Sequence, residues 1–132
     1  MSEQRLFRLE HPKDNRLGPW VSRKSTGIES WYSRHHNHNP SNGPGWCDDQ
    51  ITPPLSTRDR YFTFVRSIDE LKWWFRPIHL RHLRSDGFVV GEYMLPSQWV
   101  KHGHRQAAGL REMGRHVRDI PLTHILKGKV HD

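Results

Sequence analysis

The stretch that decides the fold is Tyr61–Leu95, YFTFVRSIDELKWWFRPIHLRHLRSDGFVVGEYML. It begins with an aromatic and β-branched run, which predicts a strand over Tyr61–Val65. It ends with Phe88–Leu95, which is apolar enough to predict a strand buried on both faces. The stretch therefore predicts a strand, two short helices and a second strand, and it leaves open whether the two strands are neighbours.

The two helices are indicated by their ends and by their apolar spacing. Ser67 stands three residues before Glu70, the spacing of a capping box, in which the hydroxyl and the carboxylate each accept a backbone N–H. Pro77 suits the first turn of the second helix, and Gly87 suits the position just after its end. Helical spacing gives both segments an apolar face, formed by Ile68, Leu71, Trp74, Phe75, Leu80 and Leu83.

The remaining segments complete a single domain over residues 1–132, for which the prediction is the α+β class. We expect a small mixed β-sheet with two short helices on one side and a long ordered loop. Residues 105–110 favour either a last strand or the start of a helix. The predicted parts are core elements at 4–11, 61–95 and 99–110, a long loop at 22–60 and a polar tail at 118–132, with Ile120, Leu122, Ile125 and Leu126 as anchors.

Composition points to an anionic partner and a reducing compartment. The 132 residues include 21 Lys or Arg and 14 Asp or Glu, a formal net charge of +7. Such a balance favours nucleic acid or an acidic protein as partner. The single cysteine, Cys47, allows no intrachain disulfide, and no apolar run is long enough for a signal peptide or a membrane span. We therefore expect a cytoplasmic protein with no membrane partner.

Basic and aromatic residues alternate through the first quarter of the chain. Arginine and aromatic side chains together can bind phosphates and stack on bases. No helix-turn-helix, zinc-finger or RRM signature accompanies them, and tryptophans in such a pattern also serve as core residues. The candidate partner-binding residues are Arg5, Arg16, Trp20, Arg23, Lys24, Trp31 and Arg34.

A metal site and a cysteine nucleophile are both weakly indicated. The tract RHHNHNPSN brings three histidines within reach of the one cysteine, but no CxxC or HxxxH spacing accompanies them. A solvated loop explains the tract as well. Two aspartates follow Cys47 and oppose formation of its thiolate. The possible zinc ligands are His35, His36, His38 and Cys47.

Short pieces of the chain resemble a family of small proteins encoded by tailed bacteriophages. The pieces are FRLEH, GPW, YFTFVRSIDELKWWF, GFVVGEY and VKHGHRQAA, at Phe7–His11, Gly18–Trp20, Tyr61–Phe75, Gly87–Tyr93 and Val100–Ala108. The resemblance implies a host-takeover or anti-defence setting, in the cytoplasm of the host cell. It implies no established activity.

The layout also resembles, more distantly, the ADP-ribosyltransferase fold, and this resemblance implies NAD as cofactor. Arg8 or His11 would hold NAD, while Tyr61, Phe62 and Ser67 would line the nicotinamide. The catalytic glutamate of that family falls on Gln106, which supplies no negative charge opposite a developing cation. Glu92 is the alternative for that place. Equally, Arg8 and His11 are ordinary groups at a strand end, and Ser67 is only a helix cap.

Three hypotheses follow. The leading one is a small basic phage-type protein, without enzymatic activity, that binds an anionic host partner such as nucleic acid or a complex containing it. The second is an NAD-dependent transferase or a binder of an NAD-derived nucleotide. The third is a structural virion component. The sequence leaves open the oligomeric state, the strand order and whether the protein is an enzyme.

Overall fold

Two three-stranded antiparallel sheets carry the fold in the computed structural model, which describes residues 2–16, 18 and 60–128. The first sheet has the order β1 (Glu3–Glu10), β3 (Val89–Pro96), β6 (Arg115–Pro121). The second has the order β2 (Tyr61–Phe64), β5 (Ala107–Leu110), β4 (Val100–His102). The helices are α1 (Ile68–Trp74), α2 (Pro77–Ser85) and α3 (Leu122–Leu126), with 3₁₀ turns at Ser97–Trp99 and Arg111–Met113.

The predicted α+β class is confirmed, and the β-structure is divided between two antiparallel sheets instead of one mixed sheet. The two strands of the opening stretch, β2 and β3, lie in different sheets. Strand β3 takes the central place of its sheet because it is apolar on both faces, as its sequence indicated. The sheets meet where the backbones of Phe7 and Val65 exchange hydrogen bonds of 2.8 and 2.7 Å.

The helix ends largely follow the sequence prediction. The Ser67 hydroxyl accepts the Glu70 N–H at 3.1 Å and so caps α1. The Glu70 carboxylate accepts the backbone N–H of Arg66, one residue earlier than a capping box requires, because it also pairs with the Arg66 guanidinium. Helix α2 begins at Pro77, and Gly87, with φ of +96°, follows its end. Such a φ favours glycine because it has no Cβ.

The main core lies between the first sheet and the helices. Phe7 and Leu9 project from β1 toward the helices, while Leu6 projects from its other face into a second cluster with Phe64 and Leu95. Among the described residues, no helix is long and apolar enough to cross a membrane. The main cluster consists of Phe7, Leu9, Val65, Ile68, Leu71, Phe75, Leu80, Leu83, Phe88, Val90, Ile120, Leu122 and Ile125.

The predicted polar tail is wrong for residues 118–126. Residues 118–121 belong to β6, an edge strand whose side chains are exposed except for Ile120. An edge strand paired on one side needs few apolar residues, so its sequence resembles a tail. Helix α3 follows directly and buries Leu122 and Ile125, two of the proposed anchors.

The predicted core segment at 99–110 ends in a strand. Of the two alternatives at 105–110, the strand is correct for Ala107–Leu110. Pairing with β2 and β4 on either side overrides the helical propensity of this run. The predicted loop at 22–60 lies outside the described residues except for Arg60.

Candidate functional site

A buried carboxylate cluster lies at the end of β1. Glu10 has no exposed surface, and its carboxylate accepts hydrogen bonds from Tyr93 Oη at 2.5 Å, Arg16 Nε at 2.6 Å and Arg8 Nε at 3.2 Å. The Arg111 guanidinium lies 3.7 Å from the same carboxylate. Burial and the charge of Glu10 raise the pKa of Tyr93 to about 12, which keeps its phenol protonated as a donor. Glu10 therefore forms ion pairs with Arg8, Arg16 and Arg111.

Arg8 connects the cluster to the second sheet. Its Nη1 donates to the Thr63 carbonyl of β2 at 2.9 Å, and its guanidinium lies 4.9 Å from the centre of the Phe62 ring. Burial lowers the pKa of Arg8 to about 10, although Glu10 acts against this effect. Arg8 is thus still charged at neutral pH, and its role is to hold β1 against β2.

Glu10, His116 and Asp119 place three potential metal ligands within 4.8 Å of one another. The guanidinium of Arg16 lies among them. It donates to Glu10 and to Asp119, and its Nη2 is 3.3 Å from His116 Nε2. Since an arginine cation already occupies the space that a metal would need, the three residues form an ion-pair cluster around Arg16.

Gly91 leaves room for this cluster on β3. A Cβ at this position would lie 2.9 Å from Glu10 Cδ and 2.9 Å from Tyr93 Cε1. We expect Gly91→Ala to destabilise the protein by about 1–3 kcal/mol, the usual cost of overpacking a filled core. Urea denaturation checks this value. Gly128→Ala is the comparison without steric overlap, because a Cβ there would meet nothing within 4 Å. Its φ of +69° adds backbone strain only. A Gly91→Ala protein as stable as the wild type would contradict the prediction.

The candidate NAD residues are held in separate structural roles. Arg8 lies within β1, whereas His11 follows the end of that strand. His11 Nδ1 accepts the Lys13 N–H at 3.1 Å, so its Nε2 donates to the Asp86 carbonyl at 2.8 Å. The ring also packs edge-on against Phe88. His11 thus joins β1 to the end of α2.

The other residues of the NAD-binding hypothesis also have separate roles in the structure. Ser67 caps α1, and Glu92 accepts from Arg118 Nε at 2.7 Å. Tyr61 is buried in a small cluster of the second sheet, and Phe62 packs under the guanidiniums of Arg8 and Arg111. Gln106 is buried, and its Oε1 has no hydrogen-bond partner among the described residues. Among the contacts of the described residues, none joins Arg8, His11, Ser67 and Gln106.

Of the candidate partner-binding residues, two lie in the described part of the chain. Arg5 is exposed on β1, 5.6 Å from the centre of the Phe7 ring. Arg16 forms ion pairs with Glu10 and Asp119, which neutralise its charge. The others, and the proposed zinc ligands, lie outside the described residues: Trp20, Arg23, Lys24, Trp31, Arg34, His35, His36, His38 and Cys47.

A different basic region lies on the helices of the described structure. The run Lys72–Ser85 contains four Lys or Arg residues and no Asp or Glu. Within the described part of the chain, Lys72, Arg81 and Arg84 form no ion pair. We call these three residues the basic helical surface. By contrast, Arg66 and Arg118 are paired with Glu70 and Glu92.

The basic helical surface borders a groove between α2 and α3. The groove has a volume of about 280 Å³. Apolar side chains form its floor, and all three cations of the basic helical surface stand around it. Its lining residues are Lys72, Pro77, Leu80, Arg81, Arg84, Ile125 and Leu126.

A family model described as Bacteriophage T4 Y00F protein matches residues 1–123. The chain belongs to the bacteriophage T4 Y00F protein family. This membership confirms the resemblance to small bacteriophage proteins and gives no support to the ADP-ribosyltransferase resemblance. Comparisons with curated proteins and with solved structures found no match.

The sequence analysis of this phage protein overlooked its basic helical surface. The candidates predicted from the sequence lie in the N-terminal quarter, although Lys72–Ser85 has a higher density of Lys and Arg and lacks any acidic residue. The signal that could have found it is the spacing of Arg81 and Arg84 relative to Pro77. In a helix, positions i, i+4 and i+7 share one face.

Proposed function

We propose that this phage protein binds an anionic partner in the host cytoplasm through the basic helical surface. The observation that supports this proposal is the unpaired state of Lys72, Arg81 and Arg84 beside an open groove. Unpaired cations raise the local concentration of anionic ligands and speed their association. Membership of a phage family supports a partner in the infected cell, in a host-takeover or anti-defence setting.

The distribution of ion pairs explains why the helices, rather than the first sheet, supply this surface. Several arginines on or beside the first sheet are held in ion pairs, including Arg16 with Glu10 and Asp119 and Arg118 with Glu92, whereas Arg5 on β1 is exposed. Arginines that are already paired with carboxylates attract a distant anion only weakly. Helices α1 and α2 therefore carry accessible positive charge in the described part of the chain.

Heparin chromatography with two charge-matched double variants tests the proposal. Arg81→Gln/Arg84→Gln removes two charges from the basic helical surface, and Lys13→Gln/Lys101→Gln removes two exposed charges elsewhere. We expect the first pair to elute at clearly lower salt, because fewer contacts to the polyanion mean weaker binding and a shallower salt dependence. If both variants elute together, the partner surface lies elsewhere and the proposal is wrong.

A further inference from the structure

We infer that the anionic partner is an acidic protein segment that places an aliphatic or aromatic side chain in the groove between α2 and α3. This inference rests on the proposed function and specifies the class of partner for the same site. It follows from the combination of a cationic rim with an apolar floor.

The floor of the groove is built to receive an apolar group. Leu80 and Ile125 are each 1% exposed and belong to the main core, and Pro77 and Leu126 complete the floor. With about 280 Å³, the groove falls just below the range of about 300–1,000 Å³ that is typical of sites for drug-sized ligands. One or two protein side chains suit this volume better than a dinucleotide does.

The rim determines the charge of the occupant. Lys72, Arg81 and Arg84 line the groove, and no Asp or Glu of the described chain does. A carboxylate beside the inserted side chain can therefore pair with a guanidinium, a charge-assisted interaction stronger than a neutral hydrogen bond. A cationic or neutral segment would gain nothing from this rim and would leave the three positive charges near each other without a partner.

The chemistry of the floor favours a protein over a nucleic acid. Single-stranded nucleic acids gain affinity by stacking bases on aromatic side chains. The described lining of the groove consists of proline, leucine and isoleucine together with the three cations, without an aromatic ring. Phosphates could use the rim, but the floor offers bases no aromatic platform for stacking.

Two exposed apolar residues adjoin groove residues in the chain. Trp73 is 53% exposed and Ile78 is 64% exposed, and they directly adjoin Lys72 and Pro77 in the chain. The Arg105 guanidinium lies 4.4 Å from the centre of the Trp73 ring. Protein interfaces are enriched in tryptophan and arginine, which act as anchors at their centres.

Selection from a random-sequence peptide library tests the inference without knowledge of the partner. The immobilised full chain should enrich peptides in which Asp or Glu flank Leu, Ile or Phe. Two variants serve as counter-selections: Arg81→Gln/Arg84→Gln removes rim charge, and Leu126→Ala opens the floor while leaving the rim. Neither variant should retain the enriched peptides. The control Met113→Ala, which removes an exposed apolar side chain away from the groove, should retain them.

Fluorescence anisotropy with an enriched peptide then distinguishes the contribution of the floor to binding from that of the rim. Replacing its apolar residues with serine should weaken binding to the wild type about tenfold, which corresponds to about 1.4 kcal/mol. The same replacement should have little effect on binding to Leu126→Ala. The thermal unfolding midpoint of each variant is measured so that only folded proteins are compared. Arg81→Gln/Arg84→Gln changes exposed side chains and leaves the core unchanged.

Two results would overturn the inference and leave the proposed function standing. In the first, peptides bind the wild type no better than the two groove variants, while the two charge variants still elute from heparin at different salt concentrations. In the second, a single-stranded DNA binds the wild type more tightly than the enriched peptide does at equal salt. Loss of the heparin difference itself would instead overturn the proposed function.

Discussion

Glu10→Ala is expected to lower the free energy of unfolding by about 3–5 kcal/mol, the usual loss when one partner of a buried ion pair is removed. Arg8, Arg16 and Arg111 would remain around an empty position, and the Tyr93 hydroxyl would lose its acceptor at 2.5 Å. Arg8 is the most affected, since it is 3% exposed and its Nη2 already lacks a partner among the residues that the structure describes.

Urea denaturation of Glu10→Ala and two companions measures this effect. Glu10→Gln keeps the size of the side chain without its charge, so it should recover only a part of the lost stability. Glu112→Ala removes an exposed partner of Arg60 and should leave the midpoint nearly unchanged, because exposed ion pairs contribute little. A Glu10→Ala midpoint as high as that of Glu112→Ala would show that the cluster is not important for stability.

Phe7→Ala is expected to destabilise the protein by about 3–5 kcal/mol, the range for truncating a buried phenylalanine. The side chain is 1% exposed and belongs to the core between the first sheet and the helices. Its backbone also exchanges both hydrogen bonds with Val65, where the two sheets meet. A cavity here therefore weakens the packing of α1 and the junction of the sheets together.

Thermal and urea unfolding of Phe7→Ala check this second prediction. The comparison is Met113→Ala, whose side chain is 45% exposed and whose loss should change stability by no more than about 0.5 kcal/mol. A loss of stability below about 1 kcal/mol would mean that the core refills the cavity.

The candidate site could be predicted only in part from the sequence. Net charge indicated an anionic partner, and the structure offers unpaired cations for one. The sequence did not show which cations are unpaired, because pairing joins residues far apart in the chain. Arg16 appeared as free as Arg81, yet it is bound by Glu10 and by Asp119, which lies 103 residues away.

By itself, the sequence determined the local elements of this protein. The aromatic run at Tyr61–Phe64, the Ser67 cap, Pro77 and Gly87 each act through their own backbone geometry or nearest neighbours, so these elements appear where they were predicted. The burial of Phe88–Leu95 was predictable for a similar reason, since a largely apolar run, interrupted only by Gly91 and Glu92, has no face suited to water.

Only the tertiary structure decided how these elements are combined. It placed β2 and β3 in different sheets, recruited the polar residues of β6 as an edge strand and gathered three arginines around Glu10. It also formed the groove by packing α3 against α2. Each of these outcomes depends on contacts between distant segments, and the periodicity of a single segment does not specify which other segment will cover its buried face.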